Sequence, residues 1–116
     1  MSSPNVIKIY ATPTGRQPFS LWVEKLKDPY TVGRITQSLN RLKNTGLGDI
    51  KSVGQDIYEL RLHFGSGYRI YFAKEGDTIL ILLCAGDKST QSKDIQAAQK
   101  HWRDYQEANS CNTTKH

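Results

Sequence analysis

Arg61, His63, Arg69 and Tyr71 are residue types that can act on a phosphodiester, and they sit in two adjacent alternating segments. In the first, Tyr58, Leu60, Leu62 and Phe64 point one way, and Glu59, Arg61 and His63 point the other. In the second, Tyr68, Ile70 and Phe72 alternate with Arg69, Tyr71 and Ala73. Gly65-Ser66-Gly67 between them reads as a three-residue hairpin turn. That turn pairs Phe64 with Tyr68, His63 with Arg69, Arg61 with Tyr71 and Glu59 with Ala73. Cross-strand partners have Cβ atoms about 5 Å apart. Arg61, His63, Arg69 and Tyr71 would then share one patch, with Glu59 at its edge. Lys51 before the hairpin and Lys88 after the following strand would flank it.

Such a set suits RNA. Guanidinium forks grip phosphate bidentately and stabilise charge that develops on its oxygens. A tyrosine offers a stacking surface or a proton-transferring hydroxyl. RNA cleavage without a metal needs little more: a 2′-hydroxyl loses its proton and attacks the adjacent phosphorus, and the 5′-oxygen leaves with a proton. The chain shows no carboxylate cluster for catalytic magnesium, so neither a metal nor another cofactor is expected. The same alternation also describes a half-solvated sheet face. There Arg61 would make surface ion pairs worth about 0–1 kcal/mol, and Lys51 and His63 would be plain solvated residues. Cys84, in an apolar run, reads as an inert buried thiol.

The elements that position these residues follow from periodicity. Val6 to Ala11 reads as a strand, broken by Thr12-Pro13-Thr14-Gly15. Pro18 opens a helix whose apolar stripe is Phe19, Trp22, Val23 and Leu26. Asp28-Pro29 ends it, and Thr31 caps a second helix with Val32, Ile35, Leu39 and Leu42 on its buried face. Gly46 stops that helix, and residues 48–55 read as a glycine-bearing loop. After the hairpin, Thr78 to Cys84 is continuously apolar, as in a strand buried on both faces. Thr90 or Ser92 starts a last helix, with Ile95, Ala98, Trp102 and Tyr105 inward.

The order is β-α-α-β-β-β-α. It predicts an α+β fold: a small, mostly antiparallel sheet with an N-terminal helix hairpin and a C-terminal helix over one face, leaving the other face free. Residues 1–106 form one domain, and residues 107–116 are expected to be a disordered polar tail.

Sixteen Lys and Arg against eleven Asp and Glu give a charge of +5, which favours an acidic partner such as nucleic acid. The longest apolar run, Ile79 to Ala85, falls far short of the roughly 20 residues of a membrane span. The N-terminus has no secretory pattern. Cys84 and Cys111 make no disulfide framework, which argues for a reduced, cytoplasmic protein.

Five stretches together resemble the RelE/HigB/ParE toxins of bacterial type II toxin–antitoxin systems, specifically the phage Gp49-like "addiction module killer" group. They are Pro18-Phe-Ser-Leu-Trp-Val-Glu-Lys-Leu-Lys-Asp, Gly48-Asp-Ile-Lys-Ser-Val-Gly, Ile57-Tyr-Glu-Leu-Arg-Leu, Gly67-Tyr-Arg-Ile-Tyr-Phe and Leu82-Leu-Cys-Ala-Gly-Asp-Lys-Ser-Thr-Gln. The resemblance implies a RelE-like fold and an endoribonuclease that cuts ribosome-bound mRNA and inhibits translation. A small helix-turn-helix antitoxin would neutralise it and would mediate any contact with DNA. Arg61 and Arg69 match basic positions of the family, and Lys88 stands where RelE-type enzymes carry an arginine. Lys51 is a further phosphate contact. Glu59 replaces a lysine of RelE, and the RelE C-terminal tyrosine is missing near Asp94, which leaves Tyr71, Glu59 or His63 for proton transfer. ParE-like members share the fold but inhibit DNA gyrase without an enzymatic step. Residues 18–46 could supply the helix hairpin for that alternative.

Overall fold

The computed structural model describes residues 6–113. Residues 1–5, on which the absence of a secretory pattern rests, and residues 114–116 of the polar tail lie outside that range. The elements are β1 (Val6–Ile9), α1 (Pro18–Leu26), α2 (Pro29–Thr45), β2 (Asp49–Ser52), β3 (Ile57–Arg61), β4 (Arg69–Glu75), β5 (Ile79–Gly86) and α3 (Gln91–Thr113). A short 3-10 turn, Lys88–Thr90, links β5 to α3. The five strands form one sheet in the order β1-β5-β4-β3-β2, and β1 alone pairs in parallel. The fold is therefore α+β with a mostly antiparallel sheet, as the sequence predicts. No helix among the described residues is long and apolar enough to cross a membrane.

Four details differ from the sequence reading. Residues 49–52, expected in a loop, form the edge strand β2 against β3. A single apolar residue, Ile50, is too little periodicity to announce a strand whose support comes from its neighbour. Asp28, not Thr31, caps α2: its carboxylate accepts from the Tyr30 N–H and from the Thr31 hydroxyl, and Pro29 takes the first helical position. The polar segment expected to be disordered from residue 107 continues α3 through Thr113.

The fourth difference decides where the site can lie. Helices cover both faces of the sheet, not one. Phe19 of α1 with Ile35 and Leu42 of α2 packs on Leu60, Ile70, Phe72, Leu80 and Leu82. Ala98 and Trp102 of α3 pack on the opposite face, against Ile57, Tyr71, Ala73, Ile81 and Leu83. Each fully buried Leu, Ile or Phe among them contributes about 1.5–3 kcal/mol. Leu80 to Gly86 is buried throughout, as its apolar run predicts. Tyr71 pairs with Cys84 while Phe72 pairs with Leu82, so Leu83 is an extra residue in β5. This bulge turns Leu83 and Cys84 toward the same face and brings Gly86 opposite Arg69.

Gly86 has a steric role. A Cβ there would overlap the Asp94 carboxylate of α3 and lie 2.7 Å from the Thr90 hydroxyl. The Gly86→Ala variant should lose about 1–3 kcal/mol in urea unfolding, because Asp94 must move and give up its bond to Thr90. Gly33 lies inside α2 with nothing within 4 Å of an added Cβ. The Gly33→Ala variant should gain about 0.5–1 kcal/mol in the same measurement.

Candidate active site

Antiparallel pairing places direct partners on one face, so two rows of polar side chains cross the sheet. The first row is Asp49, Arg61, Arg69 and Gly86. The second is Lys51, Glu59, Tyr71 and Cys84. The expected pairing of Arg61 with Tyr71 and His63 with Arg69 is thus displaced by two residues. Glu59 meets Tyr71, and Ile57 meets Ala73. The connection is longer than the three-residue turn suggested: Leu62 bonds to Tyr68, and the turn spans everything between. The Phe64 and Tyr68 rings make an aromatic group with Trp22 of α1, with centroids 5.8 Å apart for Phe64 and Tyr68 and 5.4 Å apart for Trp22 and Tyr68. A slip of two keeps every side chain on its face but changes every partner.

The first row sets two guanidinium groups directly opposite each other, which is repulsive unless compensated. Each has a carboxylate. Arg61 Nε lies 3.5 Å from Asp49, and Arg69 Nε lies 3.5 Å from Glu59. Arg69 also donates from Nη1 to the Gly67 carbonyl at 2.8 Å. The carboxylates hold the guanidinium groups at ion-pair distance without taking up their Nε protons. Both buried Nε atoms lack an acceptor among the described residues. Buried donors without a partner cost about 1–3 kcal/mol each, a cost that the neighbouring carboxylates offset electrostatically.

Glu59 is buried completely. Its Oε2 accepts from the Tyr71 hydroxyl at 3.0 Å and from Gln91 Nε2 at 2.8 Å. The other oxygen, Oε1, has no hydrogen-bond partner among the described residues. Tyr71 is also sealed under α3, and burial, followed by the bond to Glu59, pushes its phenol far above the ordinary tyrosine range. The expected roles of Tyr71 as a stacking surface or proton carrier, and of Glu59 as an exposed group at the patch edge, are therefore corrected. Both lie beneath the site and position Arg69. Burial pushes the Cys84 thiol up to about 12, in keeping with an inert thiol.

Lys88 reaches the site through the 3-10 turn. The Ser66 hydroxyl donates to Asp87 at 3.2 Å, and Asp87 caps the turn by accepting from the Ser89 N–H. The 62–68 connection is thereby docked beside Lys88. Gly67 makes the approach possible: its φ is +78°, and a Cβ would stand 3.3 Å from Arg69 Nη1 and 3.4 Å from the Lys88 Cβ. The result is an open cavity of about 280 Å³ walled by Arg61, His63, Arg69 and Lys88. Four of the sequence-predicted residues thus converge, while Lys51 sits exposed on β2 outside this cavity.

His63 is 74% exposed and hydrogen-bonded to Asp49 at 2.6 Å. That bond, with Arg61 alongside, holds the Asp49 carboxyl below the usual carboxylate range. An ionised Asp49 can only accept, so His63 Nε2 is the donor in this bond.

Four residues enter that the sequence reading left out. Asp49 and Gln91 carried no signal, because their importance arises from pairing and from the turn before α3. Arg34 and Arg41 were detectable: they are two helical turns apart on one face of α2. A second cavity of about 520 Å³ adjoins the first and includes Arg34, Arg41, Asp49, Arg61, His63 and Phe64.

Chemical denaturation should separate support from chemistry. The Glu59→Ala variant leaves Arg69, only 12% exposed, without its counter-charge, and should cost about 3–5 kcal/mol. The Tyr71→Phe variant removes one hydrogen bond and should cost about 1 kcal/mol. Equal costs for the two would contradict this account.

Residues 22–103 match the family described as "Phage derived protein Gp49-like (DUF891)". A protein of Haemophilus influenzae, described only as uncharacterized, is 46% identical over 81 residues, covering 70% of this chain and 82% of that protein. The family match begins in α1 and ends within α3, so it contains every residue that walls the cavity. On that extent of match, this chain belongs to the phage-derived Gp49-like family, which is associated with toxin–antitoxin systems.

Proposed function

We propose that the chain is the toxin of a toxin–antitoxin pair and that it cleaves ribosome-bound mRNA by attack of the ribose 2′-hydroxyl. The observation that carries this reading is the convergence of Arg61, Arg69 and Lys88 on one cavity, with Arg69 fixed from beneath by Glu59. The family association and the resemblance to RelE- and HigB-like toxins support it. Recognition here does not rest on a large net charge, because Asp49 and Glu59 offset two of the three cations. It rests on the parts of the Arg61 and Arg69 side chains that line the cavity and on Lys88, which has no carboxylate within ion-pair distance among the described residues.

In this mechanism the scissile phosphate lies against Arg61 and Arg69. His63 takes the 2′-hydroxyl proton while Asp49 orients the ring. The 2′-oxygen bonds to phosphorus, the bond from phosphorus to the 5′-oxygen breaks, and a 2′,3′-cyclic phosphate forms. The leaving 5′-oxygen receives a proton from the Lys88 ammonium or from water. The guanidinium groups stabilise the extra charge on the phosphoryl oxygens in the transition state, and such a donor is worth about 100-fold to 1000-fold in rate. Lys51, outside the cavity, has at most a role along the RNA backbone. The expected partner is a helix-turn-helix antitoxin.

Arg69→Ala is a poor test alone, because it also strands the buried Glu59. Lys88→Ala changes an exposed side chain and leaves that network intact. Induced in a bacterial host, the parent protein should arrest growth and leave discrete mRNA cuts by primer extension. Lys88→Ala and Arg61→Ala should each reduce cutting about 100-fold. Growth arrest with intact mRNA and damaged DNA would instead select the gyrase-inhibitor alternative.

A further inference from the structure

The cavity at Arg69 does not end at Arg61. It shares Arg61, His63 and Phe64 with the larger cavity between α2 and β3. That cavity in turn shares Arg34 and Gln37 with a third, of about 580 Å³, which ends at Tyr30 near the start of α2. The three adjacent concavities thus form a row, a groove whose second and third parts run along α2. Its walls hold Lys88, Arg69, Arg61, Arg41 and Arg34, against Asp49 as the one carboxylate among the described lining residues. Asp49 is itself engaged by His63 and Arg61.

Two features give the groove more than charge. Arg34 and Arg41 are two turns apart, about 11 Å along the helix, so they meet different phosphates of one strand. The Arg34 guanidinium lies 4.1 Å from the centre of the Phe64 ring and 5.9 Å from that of Tyr30. An arginine held on an aromatic ring keeps its outer face for stacking on a base. Tyr30 is 72% exposed, a large ring left in water at the far end of the groove. Duplex RNA hides its base faces, whereas a single strand presents them.

We infer that this groove is an extended track for single-stranded RNA, in which Arg41 and Arg34 bind backbone phosphates beyond the scissile one, and Arg34 on Phe64, with Tyr30, stacks an unpaired base. The inference rests on the proposed RNA-cleaving reading and adds the length and strandedness of the substrate. Arg34 and Arg41 are positioning residues, remote from the reacting atoms.

The test is binding of the full chain to fluorescent 2′-O-methyl oligouridylates, which lack the attacking hydroxyl, followed by anisotropy across a salt series. A long oligomer should bind the parent more tightly than a short one. The double variant Arg34→Ala/Arg41→Ala should lose at least about 10-fold in affinity for the long oligomer, and its salt slope should fall by about 0.7 for each arginine removed. Affinity for the short one should hold. Both residues are exposed on α2, and alanine favours the helix, so circular dichroism should match the parent. Arg34→Lys should keep the salt slope but lose affinity several-fold, through the lost stack. Unchanged affinity and slope in the double variant would overturn the track. So would retained RNA affinity combined with lost antitoxin binding, which would assign the α2 face to a protein partner. If instead Lys88→Ala still cleaves mRNA while the double variant loses RNA, the cavity mechanism falls and the track stands.

Discussion

Glu59 is a carboxylate removed from water, and the site is arranged around that fact. Burying an ion costs several kcal/mol unless its neighbours replace the lost hydration. Arg69, Tyr71 and Gln91 do so for one oxygen, from β4 and from the start of α3, while Oε1 has no hydrogen-bond partner among the described residues. Arg69 is therefore held in place before any ligand arrives. Its neighbour Arg61 is tolerated directly opposite because Asp49 offsets its charge from the edge strand. Two like charges can be held side by side only while both carboxylates stay in place.

The rest of the fold maintains that arrangement from two sides. On the α3 face, the extra residue at Leu83 aligns Gly86 with Arg69, and the absence of a side chain at Gly86 lets Asp94 and Thr90 close in. This seats the first turn of α3, and with it Gln91, against the buried carboxylate. On the other face, Trp22, Phe64 and Tyr68 draw the hairpin connection toward α1. The same connection docks onto the Asp87 cap through Ser66, where Lys88 meets the arginines. Site geometry and core packing are therefore coupled through the hairpin connection, whose aromatic residues pack against the core while Gly67 lies beside Arg69 and Lys88.

Much of this could be read from residue order. Alternation along residues 58–64 and 68–73 assigned each polar side chain to its face, and Arg61, His63, Arg69 and Lys88 do meet at one cavity. The helices begin and end near their prolines and at Gly46, because those residues act through local backbone geometry. The errors are of another kind. Tyr71 and Glu59 alternate with apolar residues just as exposed polar residues would, so nothing local marked them as buried. What buries them is a helix twenty residues and more down the chain.

Sequence alone determined the faces, the helix limits and the chemical types available, since a period of two or 3.6 and the dihedral limits of proline and glycine act within a few residues. Only the tertiary structure decided the register of the hairpin, the strand at residues 49–52, the covering of both sheet faces and the change of Glu59 from a surface group to a buried support. Those outcomes depend on contacts between distant segments, where aromatic packing and desolvation outweigh the preference of any short stretch for its own turn.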